Sequence, residues 1–274
     1  MTKEYDEEVR KHYIKVAKKH ALLGTSTMED EITRDLETKA IFKFIEESLK
    51  QYQLKNGNKS AVIMDIGCGN GYTLECLSKR YPDNTFVGVE KSEELRELAI
   101  SRFLSNENVN ILEGDIRDKN FSKDISPDIL VCQRVLINLL DIEDQKLALN
   151  NIVELVPSHS TLLFIEGFES SLERLNEARS EFDLSPIPQA YLNLFLSDDF
   201  FNKTRLKDFV INDSIMSENF LSTHYYVTRI IHEILTPENK AFKRNSEFVK
   251  FFTKALKQNT GDYAPLKLFT FKKE

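Results

Sequence analysis

The sequence lacks long hydrophobic runs and has little cysteine, and each shortage excludes a class of protein. No apolar stretch approaches the roughly 18 to 20 residues that a membrane-spanning helix needs. The opening MTKEYDEEVRKHY also lacks the apolar middle of a secretory signal peptide. Cys68, Cys76 and Cys132 have neither the even number of a disulfide framework nor the spacing of a zinc site. We therefore expect a cytoplasmic protein with no structural disulfide and no bound metal.

Positive charge is scarce through the middle of the chain. Residues 61–236 contain 16 Lys and Arg against 29 Asp and Glu, a balance of −13. Nucleic-acid binding depends on neutralising phosphates, so this excess of acid argues against a DNA or RNA partner. Residues 237–274 contain nine Lys and Arg against four Asp and Glu, which fits a solvated helical face or a basic patch. We expect a small-molecule partner and no membrane.

Short β-rich runs alternate with helical stretches from residue 60 onward. The runs cover residues 61–66, 85–90, 109–114, 128–133 and 161–167. Strands and helices that alternate in this way build a parallel sheet with right-handed crossovers and helices on both faces. The sequence therefore predicts an α/β fold. Two further strands are predicted within LKDFVINDSIM and PLKLFTFKK.

Helices are predicted on both sides of this alternating region. RDLETKAIFKFIEESLK has apolar residues on one face at a spacing near 3.6, and an earlier helix is expected over about residues 4–20. KNGNKS (55–60) has the composition of a turn and separates these helices from the rest. Downstream, helices are expected within ESSLERLNEARSEF, HYYVTRIIHEIL and EFVKFFTKALKQ, and the β-branched and aromatic start of HYYVTRIIHEIL could instead extend a sheet.

The stretch MDIGCGNGYTLECL (64–77) places alternating glycines between a strand and a helix. Gly67 and Gly69 let the backbone turn sharply and approach a ligand without a Cβ in the way, whereas Gly71 serves either that purpose or helix packing. The dinucleotide fingerprint G-x-G-x-x-G/A needs a small residue where this chain has Tyr72. No G-x-x-x-x-G-K-[ST] motif is present. The loop therefore fits a nicotinamide dinucleotide poorly and excludes a Walker site.

Acidic residues stand at the ends of three successive predicted strands. Asp65 ends the first, Glu90 ends the second, and Asp115 follows the third. Ligands of an open α/β sheet bind outside the carboxyl ends of its strands. Three carboxylates there suit a ligand with an ammonium, a ribose diol and an exocyclic amine, such as a nucleoside that carries an amino acid. They would repel a phosphate-rich cofactor but not a cationic sulfonium.

DIGCGNGY, GVEKS, GDIRD and PDILVCQRVLINL resemble, in order and spacing, the successive motifs of class I S-adenosylmethionine-dependent methyltransferases. The resemblance covers residues 60–167 and implies a Rossmann-like, mostly parallel seven-stranded sheet with helices on both faces. It also implies a helical lid over residues 1–59, a methyltransferase core over 60–274, and a substrate-facing cap segment after strand five at 168–208. The implied cofactor is S-adenosylmethionine.

The same resemblance implies positions for the methionine and ribose of the cofactor. Asp65 and the loop backbone at Gly67, Cys68 and Gly69 would hold the methionine end. Glu90 would accept hydrogen bonds from the ribose.

Five further residues are implied around the adenine and the methyl group. Lys91 would flank the adenosine. Asp115 would accept from the adenine amine, and Ile116 would offer its backbone. Gln133 and Arg134 would lie beside the transferring methyl, although Arg134 could instead pair with a neighbouring acid.

The N-terminal stretch from His12 to Ile41 resembles the mobile lid of many small-molecule methyltransferases. By that resemblance Tyr13 and Arg34 would close on the cofactor. The alternative for Arg34 is a helical ion pair with Glu31 or Glu37.

Methyl transfer to a hydroxyl oxygen usually needs a general base. Glu166, at the end of the fifth strand, and His224, in STHYYVTR, are the candidates. Glu166 could instead be a capping residue, and His224 could be a structural histidine. The sequence thus favours a methyltransferase that acts on a small polar acceptor, such as a sugar or glycan precursor, at oxygen. A non-catalytic S-adenosylmethionine-binding module and a methyltransferase acting on protein remain open.

Overall fold

The computed structural model describes residues 3–24, 28–122, 125–211, 219–236 and 245–274. The strands among them are β1 (Val62–Ile66), β2 (Thr85–Glu90), β3 (Val109–Glu113), β4 (Ile129–Gln133), β5 (Thr161–Gly167), β6 (Val210–Ile211) and β7 (Leu266–Lys272). They form one sheet in the order β3-β2-β1-β4-β5-β7-β6. Strands β1 to β5 are parallel, and β7 pairs antiparallel with both β5 and β6.

The predicted α/β fold is confirmed. The five predicted parallel strands and the last strand agree with the structure to within one residue at each end. The strand predicted within LKDFVINDSIM is present at Val210–Ile211, and its continuation over 212–216 lies outside the described residues.

The helices of the described residues surround this sheet. They are α1 (Glu4–His20), α2 (Glu31–Asn56), α3 (Tyr72–Arg80), α4 (Glu93–Arg102), α5 (Ile142–Leu155), α6 (Glu169–Ser180), α7 (Ser222–Tyr226), α8 (His232–Leu235) and α9 (Glu247–Ala255). A π-helical segment, Val227–Ile231, joins α7 to α8, and short 3-10 turns form at Leu136–Asn138 and Arg205–Asp208. No helix in the described part of the chain has the length and hydropathy to cross a bilayer.

Local signals explain where α2 begins and ends. The Asp30 carboxylate accepts from the Thr33 N–H at 3.0 Å, which caps the helix. Gly57 ends it at φ 65°, inside the turn predicted at 55–60, and its N–H donates to the Gln53 carbonyl.

The centre of the sheet is covered on both faces. All seven residues of β5 are buried. Because successive side chains of a strand point to opposite faces of the sheet, both faces are shielded from water here. Between β1 and β4 the strand order reverses, because β2 and β3 lie on one side of β1 and β4 and β5 on the other. In a doubly wound sheet this reversal is where ligands bind.

Candidate active site

A cavity of about 1200 Å³ lies at the carboxyl ends of β1 to β4. One wall is the glycine loop after β1 together with the ends of the neighbouring strands. The opposite wall is α1, which contributes Val9, His12, Tyr13, Val16 and His20. These positions recur every three or four residues, so they form one face of the helix. The segment 190–193 closes the remaining side.

The glycine loop has a backbone that other residues rarely adopt. Gly67, Gly69 and Gly71 have φ values of 64°, 57° and 78°. A Cβ on Gly67 would lie 2.5 Å from Val135 Cγ2, and Gly67 and Gly69 line the cavity. Gly71 does not line it, and a Cβ there would meet the Phe103 ring at 2.8 Å. Of the two roles considered for Gly71, approach to a ligand and helix packing, the structure therefore shows helix packing.

The N–H groups of the loop are used inside the protein. Those of Gly67 and Cys68 donate to the Val89 carbonyl at 2.8 and 3.2 Å, and that of Gly69 donates to Glu90 Oε2 at 2.8 Å. A ligand would therefore find the N–H groups of Gly67, Cys68 and Gly69 already engaged. Cys68 is buried and, contrary to expectation, does not line the cavity.

Glu90 is a buried carboxylate held in a fixed orientation. Its second oxygen, Oε1, accepts from the Ser92 N–H at 2.7 Å. Burial raises the pKa of Glu90, while these backbone hydrogen bonds oppose the rise. A carboxylate has about four acceptor sites. Glu90 lines the cavity, so its remaining sites can accept from a diol there.

Asp65 lies outside the cavity lining although it ends β1. Its residue surface is 3% exposed. Burial, together with the charge of Glu90, raises the pKa of Asp65 to about 7 despite the opposing charge of Arg34. The three predicted strand-end acids therefore differ in position, since Glu90 and Asp115 line the cavity and Asp65 does not.

Asp115 is already surrounded by cations. Its oxygens accept from Arg117 Nε at 3.0 and 3.2 Å and from Arg117 Nη2 at 2.6 Å, and Lys91 Nζ lies 3.0 Å away. Burial disfavours ionisation, but these contacts hold the pKa of Asp115 below its usual range. In this arrangement its acceptor sites are taken, so the expected bond from an adenine amine would require Lys91 to move.

The same cations fasten the start of α1 to the core. Asp6 accepts from Lys91 Nζ at 2.7 Å and from Arg117 Nη2 at 2.9 Å. Lys3 Nζ lies 2.9 Å from Asp144, whose carboxylate also accepts from the Tyr5 hydroxyl and from Arg117 Nη1. We call this group of charges the α1 latch. The latch holds α1 over the cavity.

Gln133 and Arg134, at the end of β4, both line the cavity. The Gln133 side-chain nitrogen is buried and has no hydrogen-bond partner among the described residues. Arg134 has a φ of 56°, and its Nε lies 3.5 Å from the buried Glu37 carboxylate. The ion-pair alternative for Arg134 is therefore present. Ile116 also lines the cavity, and its carbonyl accepts from the Asn151 amide at 2.9 Å.

The two predicted lid residues have different positions. Tyr13 lines the cavity, and its hydroxyl oxygen accepts from Asn138 Nδ2 at 2.7 Å. Arg34 does not line it. The Arg34 Nε donates to the Gly24 carbonyl at 3.0 Å, and its guanidinium carbon lies 5.5 Å from the centre of the Tyr72 ring.

Glu166, a predicted base, has no access to the cavity. It is fully buried and accepts from the N–H groups of Val135, Leu136 and Ile137 at 2.9 to 3.2 Å. Burial raises the pKa of Glu166 to about 7, and the three backbone donors oppose the rise. The Glu166 side chain caps the turn that follows β4. Its position therefore fits a capping residue and not a general base.

His224, the other predicted base, is also fully buried and away from the cavity. Its Nε2 lies 2.9 Å from Asp30 Oδ2 and its Nδ1 lies 3.0 Å from Thr253 Oγ1. Both ring nitrogens are therefore engaged within the protein. His224 joins the start of α2 to α7 and α9. It is therefore placed as a structural histidine and not as a general base.

Residues 63–158 match the family model described as a methyltransferase domain. This segment of the chain is therefore similar to a methyltransferase domain. Malonyl-[acyl-carrier protein] O-methyltransferase of Halalkalibacterium halodurans is 38% identical over 78 residues, which is 27% of this chain and 28% of the relative. A tRNA (guanine-N(7)-)-methyltransferase of Magnetococcus marinus is 33% identical over 86 residues, which is 31% of this chain and 27% of the relative. The match thus spans under a third of each relative.

Solved structures resemble the whole chain. Magnesium protoporphyrin IX methyltransferase from Synechocystis PCC 6803, crystallised with S-adenosylmethionine, covers 100% of this chain and 99% of its own, with a TM-score of 0.57 and 10% identity. Structural similarity at so low a sequence identity establishes a shared fold and nothing about activity. The methyltransferase domain therefore has the Rossmann-like architecture that its motifs imply.

Within the methyltransferase domain, several residues around the cavity escaped sequence reasoning. Arg117 joins Asp115 to α1, and Asn138 joins Tyr13 to Asn193, whose Nδ2 donates to Asn138 Oδ1 at 2.8 Å. Apart from Asp115, their partners lie between 55 and 125 positions away in the chain, so no local spacing signals those contacts. Among the residues that the structure describes, no group of three or more His, Cys, Asp or Glu could hold a metal.

Proposed function

We propose that this protein binds S-adenosylmethionine in the cavity and transfers its methyl group to an oxygen of a small polar molecule. Glu90 is the observation that supports this proposal most directly. It is a buried carboxylate at the end of β2, fixed by the N–H groups of Gly69 and Ser92, and it faces the cavity. A carboxylate at this position of an α/β sheet can accept from both ribose hydroxyls.

Other residues of the cavity fit the rest of the cofactor. The unused Gln133 amide would donate to its carboxylate, because a buried donor without a partner is costly. The loop carbonyls at Gly67 and Gly69 would accept from its ammonium, and Asp65 behind them would favour that cation in its ionised form. The backbone of Ile116 and the stem of Lys91 would flank the adenine.

The size and cover of the cavity favour a small acceptor. Small-molecule sites usually measure about 300 to 1000 Å³. A volume of about 1200 Å³ therefore leaves room for a second small molecule beside a nucleoside. The bound cofactor would supply an electrophilic methyl group, and the protein would align the acceptor and exclude water. A sugar or glycan precursor belongs to this acceptor class.

A non-catalytic binding module is the second candidate. The observation that favours it is the position of Glu166 and His224, since neither predicted base reaches the cavity. Transfer of a labelled methyl group to any acceptor would eliminate this candidate.

Calorimetric titration with S-adenosylhomocysteine tests the cofactor site. Glu90→Ala should weaken binding by about 10- to 100-fold, because hydrogen bonds to a charged group contribute about 1.5 to 3 kcal/mol each. Glu93→Gln is the matched control, since Glu93 is an exposed carboxylate on the rim of the same cavity. Absence of binding by folded wild type, or equal binding by Glu90→Ala, would contradict the proposal.

Transfer of isotope-labelled methyl from S-adenosylmethionine into a host-cell extract tests the reaction. The extract is separated into small metabolites, glycans, protein and nucleic acid. We expect label among the small metabolites or glycan precursors with wild type and not with Glu90→Ala. Label confined to protein would contradict a small acceptor and support the protein-methylating alternative.

A further inference from the structure

A second cavity lies at the edge of the sheet opposite to the candidate active site. It measures about 240 Å³ and is formed by the end of α2, the starts of β4 and β5, and the end of β7. Because β7 runs antiparallel to β5, its end lies at the same edge as the start of β5. We call this the amino-edge cavity. Its polar lining residues include Ser48, Gln51, Lys55, Asp128, Thr161 and Lys272.

The packed face of α2 changes from apolar to polar where it reaches the amino-edge cavity. Phe44 and Ile45 lie in the hydrophobic core. Ser48, Gln51 and Lys55 follow at intervals of three or four residues, so they continue the same face of the helix. A helix that only packs against a core keeps that face apolar, so the change favours a polar ligand.

Two buried hydroxyl groups belong to this cavity. Ser48 is 2% exposed and Thr161 is 4% exposed, and both line the cavity. Neither Ser48 Oγ nor Thr161 Oγ1 has a hydrogen-bond partner among the described residues. A buried polar group in a native protein almost always has such a partner, because leaving it without one is costly. Ser48 and Thr161 are therefore suited to donate hydrogen bonds to a ligand.

Two ammonium groups give the amino-edge cavity positive charge. Lys272 lies directly opposite Thr161 in the β5–β7 ladder, and its Nζ donates to the neutral Gln51 Oε1 at 3.2 Å. Lys55 lines the cavity one turn of α2 after Gln51. Within the described part of the chain, neither lysine has a carboxylate oxygen within 4.0 Å. Both charges are therefore available to an anion.

Asp128 adds a hydrogen-bond acceptor to the same cavity. It is the single acid among the described lining residues, and its Oδ2 accepts from the Val62 N–H at 2.8 Å. A carboxylate has about four acceptor sites, so others can accept from a hydroxyl group. Two ammonium groups against one carboxylate leave the lining with net positive charge. A complementary ligand therefore has an anionic group and a hydroxyl group.

We propose that the amino-edge cavity binds a small organic phosphate. Its phosphate oxygens would accept from the two lysines and from the hydroxyl groups of Ser48 and Thr161, and its own hydroxyl group would donate to Asp128. A phosphate monoester has nearly two negative charges at neutral pH, which matches two ammonium groups without carboxylate partners. A volume of about 240 Å³ is below the usual range for drug-sized ligands, so it suits a molecule of a few carbon atoms.

Calorimetric titration of the full chain in phosphate-free buffer tests this site. The probes are glycerol 3-phosphate, inorganic phosphate and glycerol. We expect saturable binding of glycerol 3-phosphate at one site, with a Kd of about 0.1 to 1 mM. Inorganic phosphate, which cannot reach Asp128 while it contacts both lysines, should bind about threefold to tenfold more weakly. Glycerol alone should not bind measurably.

Two variants test the location of the site. Lys272→Gln should weaken binding of glycerol 3-phosphate about 10-fold, because it removes a charge-assisted hydrogen bond. Thr161→Val should weaken it about threefold to tenfold, because it removes one donor and keeps the shape of the side chain. The Thr161 hydroxyl has no partner among the described residues, so Thr161→Val should not lower the melting temperature of the ligand-free protein.

Matched controls come from the same residue types away from the amino-edge cavity. Thr85→Val changes an exposed threonine that begins β2 as Thr161 begins β5. Lys59→Gln changes an exposed lysine that does not line the cavity. Neither should alter the affinity for glycerol 3-phosphate.

A further titration separates this site from the candidate active site. Saturating S-adenosylhomocysteine and the Glu90→Ala substitution should both leave the affinity for glycerol 3-phosphate unchanged. Competition by S-adenosylhomocysteine would place the phosphate in the other cavity and overturn the inference.

Each remaining outcome decides one part of the inference. Absence of saturable binding by folded wild type up to about 20 mM glycerol 3-phosphate would overturn the site. Binding that neither Lys272→Gln nor Thr161→Val weakens would overturn its location. Equal affinity for inorganic phosphate would overturn the role of Asp128 and the organic part of the ligand. None of these results bears on the proposed methyl transfer.

Discussion

Replacing Asp65 with Asn should change how the stability of the protein depends on pH. Asp65 is 3% exposed, and burial raises its pKa to about 7. In an unfolded chain the same carboxyl has a pKa near 3.8. The folded state therefore binds the proton more tightly. Its contribution to stability is fully present below pH 3.8 and is lost as the pH rises through 7.

The magnitude follows from these two values. Ionisation of Asp65 costs the folded state about 4 kcal/mol at pH 8 but only about 2 kcal/mol at pH 5. Asn does not titrate, so its own desolvation cost is the same at both pH values. The free energy of unfolding of Asp65→Asn relative to wild type should therefore rise by about 2 to 3 kcal/mol between pH 5 and pH 8.

Urea denaturation of the two proteins at pH 5, 6.5 and 8, without ligand, measures this difference. Glu166 titrates in both proteins, so its contribution cancels. Asp83→Asn, at an exposed position, is the control and should show no pH-dependent difference from wild type. A difference between Asp65→Asn and wild type that stays constant within about 0.5 kcal/mol would refute the reasoning.

Two further substitutions test the loop and the turn. Gly67→Ala should destabilise the protein by about 1 to 3 kcal/mol more than Gly57→Ala in urea denaturation, because both have positive φ but only Gly67 has a neighbour, Val135, in the way. Equal costs would show that Val135 moves aside. Glu166→Gln should lower stability by about 1 to 3 kcal/mol, because the amide turns a donor toward one of the three N–H groups of the turn. A melting temperature equal to that of wild type would contradict the cap.

The parts of the fold that the sequence predicted well depend on local patterns. Apolar runs of five to seven residues marked the parallel strands, and Gly57 marked the end of α2. Glu90 was found because it ends such a run, where an acid without a role would be costly. These signals need only neighbouring residues.

What the sequence did not predict depends on residues far apart in the chain. Asp30 and His224 are 194 positions apart, and Arg117 and Asp6 are 111 apart. His224 looked suited to catalysis because no local pattern reveals a buried carboxylate partner. The π-helical segment Val227–Ile231 had no signal of its own either.

The α1 latch makes one wall of the cavity depend on contacts between charged side chains. The helix that presents Tyr13 is also the cover of the cavity, and its first turn is held mainly by charges. Glu90, from the sheet, and Tyr13, from this helix, line the same cavity. Exchange between turnovers should be faster at high ionic strength, because salt weakens the contacts that close the cover.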